Sequence, residues 1–157
     1  MRTKEQAVTI GDQQDLSSQI KWRMDYVGNV SLSEGKSKVK MPEGIPKSIG
    51  GVYQIIAPEM FQHYVGESNN LFRRFYTDYK TGFHSDVSKR KTNQMVVAWI
   101  HDLLPKTKIE VYLCTRANLC TNTGQQFDLD FNVFKYHRLL VESSIISCRT
   151  DLDLINK

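Results

Sequence analysis

Two short apolar segments facing each other across a proline turn constrain this chain more than any other feature. Gly51-Val52-Tyr53-Gln54-Ile55-Ile56 is β-branched and aromatic, Ala57-Pro58-Glu59 interrupts it, and the pattern resumes from Phe61 to Val65 before stopping at Gly66. Such text predicts a β-hairpin. Directly after it, Asn69-Asn70 precedes apolar residues at 71, 72 and 75, which predicts the start of a helix. Leu71, Phe72 and Phe75 can face a sheet, whereas Arg73 and Arg74 lie about 100° apart and cannot share that face.

The rest of the chain extends this unit. Residues 80–92 are polar, basic and glycine-containing, and predict a loop. A second helix is expected over residues 93–104, a third strand in the alternation of Ile109–Cys114, and a third helix over residues 131–146. The fold class expected is therefore α+β, a small three-stranded antiparallel sheet flanked by helices. Residues 1–48 are rich in Gln, Ser, Lys and Gly with only brief apolar spells, and read as an N-terminal extension that contacts DNA or supports oligomerisation. The domain proper is expected over residues 49–157. At 157 residues there is room for one core, and no separate targeting domain is expected beyond it.

Composition excludes several classes. No apolar run reaches membrane-spanning length and the start lacks a secretory pattern, so a cytoplasmic protein with no membrane partner is expected. Cys114, Cys120 and Cys148 show no C-x-x-C and no zinc spacing, and read as free thiols. The net charge of +4 is concentrated: Arg73, Arg74, Lys80, Lys89, Arg90 and Lys91 face only Asp78 and Asp86 within residues 73–91. A basic segment of this kind is either a solvated surface or a nucleic-acid contact.

Gly51-Val52-Tyr53 and Tyr64-Val65-Gly66 on paired strands, followed by a helix holding Arg74, resemble the GIY-YIG nuclease superfamily. The resemblance runs from about residue 49 to the last residue. Arg74 lies ten residues beyond Tyr64, Glu142 sits in the apolar stretch Leu139-Leu140-Val141-Glu142, and Asn156 follows it by fourteen, as in that family. The resemblance implies a metal-dependent endonuclease acting on duplex DNA, restriction-like or degradative and nicking. Glu142 would be the carboxylate on Mg²⁺ or Mn²⁺, Arg74 the grip on the scissile phosphate, Tyr53 the general base and Tyr64 its support. A guanidinium fork matches phosphate oxygens and stays charged at working pH, while a phenol titrating near 10 needs cations beside it to serve as a base.

Two positions depart from the family pattern. A Tyr or His usually stands four residues after the arginine, where this chain has Asp78; Tyr79 is the preferred substitute, provided the helix distorts. A cation often follows the second motif, where this chain has Glu67. Arg73, Lys80, His84, Lys89, Arg90, Lys91 and Asn156 are the expected DNA contacts. Cutting both strands would call for a dimer or tetramer, with Trp22, Met24 and Tyr26 as interface candidates, or for sequential nicks. A non-catalytic nucleic-acid-binding module on the same fold and a structure-specific nuclease are the alternatives. Asp128-Leu-Asp130 and Asp151-Leu-Asp153 could be metal pairs, but alternate residues point oppositely on a strand and loop carboxylates usually face solvent, and the four histidines show no common spacing.

Overall fold

A computed structural model describes residues 7–10, 20–32, 39–80, 91–121 and 129–155. Its strands are β1 (Ala7–Ile10), β2 (Ile20–Leu32), β3 (Val39–Lys40), β4 (Gly51–Ala57), β5 (Gln62–Ser68), β6 (Ile109–Cys114), β7 (Cys120–Thr121) and β8 (Asp153–Leu154). The helices are α1, which begins at Leu71–Arg73 and continues as a π-helix over Arg74–Tyr79, then α2 (Lys91–Leu103) and α3 (Lys135–Cys148).

The hairpin forms as its sequence predicts, with β4 and β5 antiparallel and Tyr53 opposite Gly66. Pro58 opens the short 3₁₀ turn between them, and Phe61 closes it in the left-handed conformation at φ 54°. Asn70 caps α1, its side chain accepting from the Arg73 backbone N–H at 2.9 Å. The basic loop expected over residues 80–92 is shorter at its end, because α2 begins at Lys91; residues 81–90 lie outside the described part.

The expected three-stranded sheet is corrected. Six strands run in the order β1-β2-β6-β4-β5-β8, antiparallel except for the parallel β5–β8 pair, and β3 and β7 also pair with β2. Every residue of β6 is buried, and a strand buried at that level needs neighbours on both edges. One is β4 and the other is β2, from the stretch read as an extension. Its alternation is disguised because the pairing slips between Tyr26 and Gly28, where Gly28 stands at φ +136°. Before the slip Met24 and Tyr26 face one side of the sheet; after it Val30 and Leu32 face the other. A period of two that changes face midway reads as short apolar spells.

Two apolar layers result. Tyr53, Ile55, Tyr64, Val111 and Leu113 meet Leu71 and Phe75 of α1 and Val96 and Ile100 of α2. Val52, Val65, Tyr112 and Cys114 meet Val141 and Ile145 of α3 on the opposite face. Full burial of Leu71, Phe75, Val141 and Ile145 contributes about 1.5–3 kcal/mol each. Met24, 1% exposed, is core and so is withdrawn as an interface candidate; Tyr26 is half-buried and the Trp22 side chain lies outside the described part. No helix among the described residues is long and apolar enough to cross a membrane.

Candidate functional site

The tyrosine pair is built by strand register. Tyr53 and Gly66 are directly opposed, and the Tyr53 ring lies across Gly66 so closely that a Cβ there would come within 2.5 Å of Tyr53 Cζ. The glycine of Tyr64-Val65-Gly66 is thus the floor under the first tyrosine. Tyr53 and Tyr64 lie with ring centroids 6.0 Å apart. Tyr53 is fully buried and Tyr64 nearly so.

The helix completes the cluster. Wound at i→i+5 from Arg74 to Tyr79, it turns Tyr79 inward, and the Tyr79 and Tyr53 hydroxyls share a short hydrogen bond. The π-turn absorbs one extra residue, so Tyr79 reaches the side of the helix that a residue four after Arg74 would occupy in a regular α-helix. Tyr76 points elsewhere, donating to the carbonyls of Pro42 at 2.6 Å and Met41 at 3.3 Å. Arg74 Nη1 donates to Tyr53 Oη at 3.4 Å. Its Nε lies 3.3 Å from Asp78 Oδ2, yet that buried N–H has no aligned acceptor. The pattern thus leaves a guanidinium donor aimed without a matching acceptor beside two phenols.

Electrostatics at this cluster favour protonated phenols. Burial raises Tyr53 well above the ordinary tyrosine range, Tyr79 and Tyr64 add to it, and Arg74 opposes it. Burial likewise raises Tyr79 and Tyr64, against the pull of Arg74. Arg74 keeps its charge: burial works against it, but Tyr53, Tyr79 and Asp78 outweigh that. The chain's own cations therefore do not suffice to make Tyr53 a resting phenolate, which is the condition the expected base role imposes.

Glu142 comes from the other face. It is half-buried on α3, packed against β5, and its charge acts on Tyr64. Among the described residues β5 pairs beyond β4 only with the two residues of β8, near Gln62, and it carries Tyr64 on one face while α3 packs on it from the other. Burial and the nearby Glu67 raise Glu142 to about 7, with Lys135 pulling the other way. Glu67 itself is held, accepting from Arg138 Nε at 2.6 Å with Lys135 Nζ 4.0 Å away. A partly buried carboxylate repelled by a neighbour is the electrostatic setting a divalent cation relieves. No group of three or more His, Cys, Asp and Glu among the described residues is arranged to hold a metal, so an ion here would rest on Glu142 with water and phosphate oxygens.

The other expected residues are dispersed. Arg73 is exposed and donates through Nη2 to Asn69 Oδ1 at 2.8 Å. Lys80 is exposed with its ammonium 5.7 Å from the Tyr76 ring centroid. His84, Lys89, Arg90, Asn156 and the Lys91 side chain lie outside the described residues. Of the three cysteines, Cys114 is buried and Cys148 half-buried, and the Cys120 side chain is outside the described part. Sequence reasoning missed Arg138, which is 6% exposed. Its signal was present: an arginine amid the inward positions Val141 and Ile145 must find a buried acceptor. Comparison with protein-family models, with curated proteins and with solved structures returns no match.

Proposed function

We propose that the protein is a metal-dependent endonuclease hydrolysing phosphodiester bonds in duplex DNA, with Tyr53, Tyr64, Arg74, Tyr79 and Glu142 as its catalytic residues. The observation that carries this reading is the π-turn, which delivers Tyr79 to Tyr53 despite the Asp78 mismatch and sets Arg74 beside both. Such turns cost regular helical bonding and occur often at functional sites. Arg74, with a buried donor lacking an aligned acceptor, is suited to a phosphate oxygen. Arg74 donates to Tyr53 Oη, so this guanidinium favours negative charge arriving on that atom in the reaction. Glu142 would hold Mg²⁺ or Mn²⁺, which supplies Lewis acidity toward the phosphate and lends the positive charge the phenol needs. The basic residues 89–91 would hold the DNA backbone without reading sequence.

A second reading, a non-catalytic DNA-binding module, is favoured by two observations: Asp78 lies against Arg74, and burial keeps the phenols protonated. Supercoiled plasmid incubated with the protein and Mg²⁺ or Mn²⁺ separates the two. The wild type is expected to nick or linearise it, and Glu142→Ala, Arg74→Ala and Tyr79→Phe to lose about 10²-fold or more in rate. A wild type that binds plasmid and leaves it intact establishes the module instead. Replacing Lys89, Arg90 and Lys91 by alanine should weaken binding equally on all sequences and flatten the slope of log affinity against log salt by about 3.

A further inference from the structure

Arg138 is buried more deeply than any other described charged group except Glu110, and nothing in the proposed chemistry uses it. Its Nε donates to Glu67 Oε1 at 2.6 Å and its Nη1 to the Phe131 carbonyl at 2.7 Å. A buried ion pair is a poor source of stability, since two apolar side chains of similar volume serve as well or better. What such a pair supplies is fixed geometry, through a planar fork whose two arms must both be met.

The two partners of this fork, and the helix that carries it, are informative. Glu67 follows Gly66 on β5, three residues from Tyr64. Phe131 begins the approach to α3, and that approach is seated on the start of β4: the Gly50 N–H donates to Asn132 Oδ1 at 2.6 Å, and a Cβ at Gly50 would collide with the Phe131 carbonyl. Arg138 and Glu142 are one helical turn apart on α3, so they share a face, and fixing the rotation of one fixes the other. We propose that the Glu67–Arg138 pair is a clamp that sets the position of Glu142 relative to Tyr64, making both residues positioning residues for the cation-binding carboxylate.

This rests on the Glu142 assignment made above, but it has its own readout. A carboxylate at 67 places a like charge near Glu142, a cost that a merely structural acceptor such as glutamine would avoid. The pair therefore does two things at once: it holds the helix turn and keeps negative charge beside the cation's seat. Loss of the fork should loosen cation binding without unfolding the protein.

Mn²⁺ binding to the full chain, followed by electron paramagnetic resonance, tests this beside the melting temperature. The wild type should bind and Glu142→Ala should not. Glu67→Leu/Arg138→Met, an apolar replacement of similar volume, should melt within a few degrees of wild type and bind Mn²⁺ at least tenfold more weakly. Arg138→Lys, which keeps the charge and loses the fork, should show the same weakening and decides the matter if the double variant does not fold. Wild-type Mn²⁺ affinity in a folded Arg138→Lys protein overturns the clamp, as does a wild type that binds no Mn²⁺. A wild type that binds Mn²⁺ through Glu142, weakens as predicted in the variants and cuts no plasmid leaves the clamp standing and removes only the nuclease reading.

Discussion

An alanine at Gly66 would bring its Cβ within 2.5 Å of Tyr53 Cζ, and the ring cannot swing clear because it is fully buried and bonded to Tyr79. The substitution should cost about 1–3 kcal/mol, the usual range for overpacking, and should displace Tyr53. Urea denaturation measures the loss, and a variant as stable as wild type would mean that the ring has another resting place. At this scale the site was largely legible. The Tyr-x-Gly spacing is a consequence of cross-strand register, and register is written in the hairpin. The burial of Arg138 could be read from its place amid inward helix positions, but its partner could not, because Glu67 is 71 residues away and only the packing of α3 on β5 joins them.

At the scale of elements, α1 carries a conflict between residue count and position. Five residues separate Arg74 from Tyr79 where a regular helix needs four to put both on one side, and the π-turn resolves it. Deleting Thr77, an exposed residue of that turn, should allow an ordinary α-helix that still brings Tyr79 to Tyr53. The bond between the two hydroxyls is measured without any assay of activity. A double-mutant cycle with Tyr53→Phe and Tyr79→Phe should give a coupling of about 1 kcal/mol, and the same cycle in the deletion background should give about the same value. Coupling that vanishes on deletion would show that the turn does more than correct the phase. β2 presents the complementary case: its pattern was in the sequence, but the slip at Gly28 moved the apolar residues from one face to the other, and periodicity cannot follow a strand through a bulge.

For the whole molecule, burial places two groups in opposition over one pH range. His63, 1% exposed and bonded to Gln54, is lowered to about 4, mainly by burial and then by Arg149, with Asp151 opposing. Its stability contribution is complete above its unfolded value near 6.5 and is lost as pH falls through about 4, an effect on the order of 1–3 kcal/mol. Glu142 runs the other way: raised from about 4.5 to about 7, it favours the fold below 4.5 and loses that contribution as pH rises through 7. Its effect is smaller because water still reaches the carboxylate. Between about 4.5 and 6.5 the two slopes oppose, and metal-free protein should show a shallow stability profile in chelator. Glu142→Gln removes one limb, so its stability should climb with pH through that window, while His63→Asn should make stability fall across it. Urea melts at a series of pH values read both slopes. Identical profiles for Glu142→Gln and wild type would mean that Glu142 is not strained by burial, and the argument for a cation at that carboxylate would lose its physical basis. Adding Mg²⁺ should shift the Glu142 limb to lower pH in wild type and His63→Asn but not in Glu142→Gln, because a bound cation stabilises the same ionised form that burial and Glu67 oppose.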